Sequence, residues 1–140
     1  MEKLSVVDDS GTDFERFLSF ARKKGNAQCL CAVVCEAALL EEGEGISLKP
    51  VTCIDLPLSK ISGFQDVVNA GGLLGHDWEV MCISMLEGIG GNIATAIETN
   101  KRLDVMLEFL RQGQADRMVI FDRNQQHIRL SDYDYGQVLK

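Results

Sequence analysis

The sequence predicts an α+β fold in a single domain spanning residues 1–140. It reads as a two-layer arrangement, a largely antiparallel sheet with helices packed mainly on one face, in the order α-β-β-α-β-α-β-β. Three observations predict it. A capped amphipathic segment lies near the start, two pairs of apolar runs are joined by turn-forming residues, and a long segment with a helical apolar stripe precedes the second pair.

Residues 1–11 read as a short strand or arm followed by a polar turn. Thr12 stands three residues before Glu15, the capping-box spacing in which each side chain satisfies the other's orphan backbone N–H. Phe14, Phe17, Leu18 and Ala21 follow at helical spacing. Arg22, Lys23 and Lys24 suit the negative end of the helix dipole, and Gly25 can take the left-handed stop conformation.

Residues 27–40 are apolar on both parities, as a strand buried on both faces would be. A buried helix has a similar signature, since Ala37 to Leu40 are helix-friendly; a strand is the favoured reading. Glu41 to Gly45 form a turn, and Ile46, Leu48, Thr52, Ile54 and Leu56 recur at even positions, completing a hairpin. Pro50 cannot donate to a ladder, so it confines the second strand to an edge or a bulge. A turn symmetric about Gly43 sets Cys53 opposite Val33 and diagonal to Cys31 and Cys35.

Ser62 with Gln65 marks a second helix start, running through Val67, Val68 and Ala70 to a stop at Gly71-Gly72. Residues 78–86 read as an inner strand. A helix over 92–112 follows, with Asn92 as N-cap, Gly113 as stop, and an inner stripe of Ile93, Ala96, Ile97, Leu103, Met106, Leu107 and Leu110. The last hairpin joins Met118–Phe121 to His127–Leu130 through a turn at 122–125. The tail from Ser131 is polar and aromatic.

Charge is distributed unevenly. From Glu36 to Glu98 there are ten acidic residues and two basic ones, so the formal charge of −7 divides into −8 for this stretch and +1 for the two ends. One acidic face would follow, steering a basic partner toward it. An isoelectric point near 4.8 speaks against binding nucleic-acid phosphates. No apolar run approaches the roughly 20 residues of a membrane helix, and the N-terminus lacks a signal-peptide pattern. Five cysteines without framework spacing point to a reducing, cytoplasmic setting.

Few residues nominate chemistry. Gly88, Gly90, Gly91 and Asn92, between a strand and a helix, could present backbone N–H groups to a phosphate, but the dinucleotide and triphosphate-loop patterns are not met. Cys29, Cys31 and Cys35 share one parity with Cys53 nearby, yet they lack the knuckle spacing of zinc sites and read as buried small hydrophobes. His76 sits two strand steps from Cys82, a conceivable Cys–His pair. His127 alternates with Ile128 and reads as solvent-facing. On the long helix, Val105 and Phe109 lie opposite the core stripe beside Glu98 and Arg102, which resembles an interface anchor. Tyr133 and Tyr135, between carboxylates, suit contact with a basic partner.

The expectation is therefore a non-enzymatic intracellular protein-binding or regulatory module of the accessory, inhibitor or chaperone-like kind. It would be homodimeric and use Arg102, Val105, Phe109, Tyr133 and Tyr135. The competing expectation is a binder or enzyme for small or phosphorylated ligands, using Gly88, Gly90, Gly91, Asn92 and His76. Neither a cofactor nor a metal is expected.

Overall fold

Five strands form one antiparallel sheet: β1 (Gln28–Leu39), β2 (Ile46–Pro57), β3 (Val80–Glu87), β4 (Val119–Asp122) and β5 (His127–Ile128). They are ordered β2-β1-β3-β4-β5 across the sheet. Among the described residues, helices α1 (Asp13–Lys23), α2 (Phe64–Ala70) and α3 (Ala96–Arg111) join them in the expected order. The computed structural model describes residues 11–24, 27–39 and 46–130. The arm at 1–10, the stop at Gly25, the turn about Gly43 and the tail with Tyr133 and Tyr135 lie outside the described residues.

The antiparallel sheet and element order match the sequence reading, while the layering differs in one respect. α1 and α2 pack on the face bearing Leu30, Ala32, Val34, Met81, Ile83 and Phe121. α3 packs on the opposite face, where Leu103 and Met106 meet Cys31, Val33, Cys35, Cys82 and Ile120. Helices mainly on one face thus holds for two of the three, and the longest helix adds a further layer. The reason is in β1, which is buried along both parities and must be covered on both sides.

Local signals account for α1. Thr12 Oγ1 accepts from the Glu15 N–H at 3.1 Å, and the Glu15 carboxylate accepts from the Thr12 N–H at 3.0 Å. Phe14, Leu18 and Ala21 are buried, with Phe17 packed beside them. The hairpin register also follows the expected symmetry, with Val33 opposite Cys53, until a bulge between Val34 and Cys35 shifts it by one. Pro50 sits at that bulge, on an edge strand. The slip reverses the face of every side chain beyond it, so Leu48 packs on the α3 side while Ile54 and Leu56 stay with α1 and α2.

Two helix starts need correction. α2 begins at Phe64, and Ser62 is bound by Asp66 rather than Gln65: the Asp66 carboxylate accepts from both the N–H and the hydroxyl of Ser62 at 2.7 Å. These bonds hold the Asp66 carboxyl below its ordinary range. α3 is capped by Thr95, not Asn92, through a second capping box with Glu98. Ile93 therefore precedes the helix, Ala96 and Ile97 are exposed, and the buried stripe is Thr99, Leu103 and Met106.

Candidate functional site

The sheet has a gap beside β3. On one side β3 pairs with β1 along its whole length, from Val80 to Glu87. On the other, β4 pairs only with Val80 to Ile83. The cause is local: after the left-handed Gly113, a 3₁₀ turn at Ala115–Arg117 carries the chain off the sheet, and Val119 enters opposite Ile83. Ser84 to Glu87 thus present backbone to no strand on that side among the described residues. An edge of this kind is a template for another strand.

α1 turns the gap into a groove. Its N-terminus is tied to the far hairpin: the Phe14 N–H donates to the Gln125 carbonyl at 3.1 Å, and the His127 N–H donates to Asp13 at 2.8 Å. Phe14 packs edge-on against Phe121 with ring centroids 5.2 Å apart. Farther along the helix, Phe17 and Phe20 then flank Met85 and Val119 around a cavity of about 280 Å³. Phe20 is 66% exposed. Lys24 and Arg117 also line the cavity, and no carboxylate does so among the described residues. Lys24 lies over the Phe20 ring at 5.7 Å and Arg117 over the Phe109 ring at 5.1 Å.

A larger cleft of about 570 Å³ lies on the other side of Gln28, near Pro57 and Leu58. Its one charged residue, Arg22, is already bonded to the Ile61 carbonyl.

The helix residues expected to form an interface are divided by the structure. Arg102 is turned toward the sheet, donating to Ser84 Oγ at 2.5 Å and to the Met85 carbonyl at 3.3 Å. It therefore borders the free edge of β3 rather than the outward side of α3. Phe109 is half-buried against the core beneath α3, under the Arg117 guanidinium. Only Val105 faces outward, 47% exposed; Ile97, two turns earlier, is 69% exposed.

The glycine loop is built for a turn. A Cβ at Gly88 would lie 1.5 Å from the Asn92 carbonyl oxygen, and Gly90 and Gly91 both take positive φ. The loop ends at Asn92, three residues before the Thr95 cap. At the start of α3, Thr95 Oγ1 accepts the Glu98 N–H at 3.2 Å, and the Glu98 carboxylate accepts the Thr95 N–H at 2.8 Å. An anion would meet a carboxylate there instead of free donors. His76 is exposed in the turn after Gly75, its N–H donating to the Leu73 carbonyl at 3.0 Å. Cys82 is buried within the sheet core while His76 is exposed, so no Cys82–His76 pair is formed.

All five cysteines are free, and four are buried, Cys53 being exposed. Among the described residues no group of His, Cys, Asp and Glu could hold a metal ion. A hydrogen bond between the Cys29 and Cys31 thiols lowers the Cys29 thiol and, with burial, pushes Cys31 up. The bond to Cys35, together with burial, pushes Cys82 up. No described helix is long and apolar enough to cross a membrane.

The sequence reading missed the groove residues Phe20, Met85, Val119 and Lys24 as a group. One signal was present: Phe20 falls off the Phe14–Leu18–Ala21 stripe, an aromatic on the polar side of an amphipathic helix. A scan against protein-family models and searches of curated proteins and of solved structures find no match to this chain.

Proposed function

We propose that this domain is a non-enzymatic protein-binding module that captures a segment of another protein in the groove between α1 and the free half of β3. The observation that carries this reading is the exposed Phe20 standing with Phe17, Met85 and Val119 beside backbone of β3 that no described strand pairs on that side. Large aromatics at the rim of a concave apolar surface are the residues that anchor protein interfaces. The free cysteines suit a reducing compartment, and the module is read as cytoplasmic. Homodimer formation belongs to the same proposal, supported by the outward Ile97 and Val105 of α3.

The test is selection of peptides from a displayed random library on the full chain, followed by fluorescence polarisation with the recovered peptide. Phe20→Ala should weaken binding by about tenfold or more, the size of an anchor residue, with the melting temperature nearly unchanged. Binding indifferent to Phe20→Ala, or failure to recover any peptide, overturns the reading.

A further inference from the structure

We infer that the occupant of the groove is an extended, apolar segment carrying acidic residues, which adds to the sheet as a strand against Ser84–Glu87. The inference rests on the protein-binding reading and adds the conformation and charge of the ligand.

The conformation follows from the pairing pattern. β3 is held by β1 through Glu87, so its second half is a rigid, correctly spaced ladder edge. β4 leaves that edge at Ile83. An extended segment lying there would continue the β4 position and exchange backbone hydrogen bonds with β3. A helix would leave those groups unused. The Met85 carbonyl already accepts from Arg102 at 3.3 Å, but a carbonyl has two lone pairs and can take a second donor. Arg102 also bonds Ser84 Oγ, so it braces the edge from the α3 side. Every second side chain of the added strand would enter the cavity lined by Phe17, Phe20, Met85 and Val119.

The charge follows from the lining. The chain carries 21 acidic and 14 basic residues, yet among the described residues the charged groups lining this cavity are Lys24 and Arg117. Each lies over an aromatic ring, and the ion pairs among the described residues involve neither of them. A carboxylate on the incoming strand would find two cations, whereas a basic segment would be repelled. Glu87, exposed at the far end of the free stretch, lies outside the groove lining and would set the register by keeping acids away from that end. The basic partner expected from the acidic middle of the chain would have to bind elsewhere.

The recovered peptide and the full chain suffice for the test. Recovered sequences should combine apolar residues with Asp or Glu. N-methylation of the peptide backbone, one position at a time, should weaken binding by about threefold to tenfold at alternate positions, the value of one ladder hydrogen bond. The amides of Met85 and Glu87, which point away from β1, should gain hydrogen-exchange protection on binding. The double variant Lys24→Glu with Arg117→Glu should lose binding and regain it with a peptide whose acids are replaced by Lys. If Phe20→Ala weakens binding but N-methylation shows no alternation and the amides of Met85 and Glu87 stay unprotected, strand addition is wrong while groove binding stands. Affinity unchanged by the charge reversal overturns the acidic assignment. Affinity unchanged by Phe20→Ala overturns both readings.

Discussion

The two faces of the sheet are built from different materials. One face is aromatic. Phe14 stands edge-on to Phe64 and Phe121 at 4.9 and 5.2 Å, with Trp78 behind Phe64 at 6.2 Å. The other face is small and sulfur-rich, with Cys31, Cys35 and Cys82 among Val33, Val80 and Ile120. Bulky rings hold the covering helices on discrete contacts, and the short α1 leaves a groove between itself and the end of β3. Thiols and valines make a flatter bed, on which the 16-residue α3 lies across three strands. It is fastened at its flanks by Thr99 Oγ1 donating to Asp55 on β2 at 2.9 Å and by Arg102 donating to Ser84 on β3 at 2.5 Å. The smooth face supplies rigidity, and the rough face supplies the concavity.

The contrast breaks most readily at Phe14. It is fully buried and its ring contacts Phe17, Phe64 and Phe121. Phe14→Ala should cost about 3–5 kcal/mol in urea denaturation, combining lost transfer energy with an unfilled cavity. A loss below about 1 kcal/mol would mean the aromatic face is not the main support of the fold.

The next largest effect concerns α3. Phe109→Asp sets a carboxylate against the core under α3 and should destabilise the domain by about 2–3 kcal/mol. Val105→Asp, on the outward side, should change stability by less than about 0.5 kcal/mol while halving the mass seen by light scattering if the homodimer forms there. A stable Phe109→Asp protein with altered mass would return Phe109 to the interface and remove it from the core.

The smallest effect is a reactivity difference across the sulfur face. In the native protein only Cys53 should react with a thiol reagent, the other four reacting on unfolding. Partial burial of its sulfur, then Cys35 and Asp104, push the Cys53 thiol above its ordinary value. Its thiolate fraction at any given pH is therefore lower than a free thiol's, and labelling should accelerate at a higher pH than for a small-molecule thiol. Labelling of two or more native thiols at equal rates would show the face under α3 to be open.

Signals that act over three or four residues were legible. Thr12 with Glu15 marked α1, and the same spacing in Thr95 and Glu98 marked α3 but was passed over for Asn92. Missing it moved the inferred start to residue 92 and brought Ile93 and Ile97 into a stripe they do not join. The Val33–Cys53 pairing expected from symmetry about Gly43 holds only in the half beyond the bulge; nearer the turn the register is offset by one, with Leu39 opposite Ile46. The bulge at Cys35 was legible only as a property of Pro50, so the side on which Leu48 packs was not.

By itself, then, the sequence determined the cap of α1, the type and order of the elements and the double-sided burial of β1, since each depends on neighbouring residues or on parity along one strand. Only the tertiary structure decided which face α3 covers, that Arg102 points at the sheet, and that β4 abandons β3 at Ile83. Those outcomes depend on residues far apart in the chain: Phe17 and Phe20 meet Met85 and Val119 only after the hairpin at 122–125 has anchored α1. A groove made from four separate segments leaves no periodicity in any one of them, and so it emerges only when the segments pack.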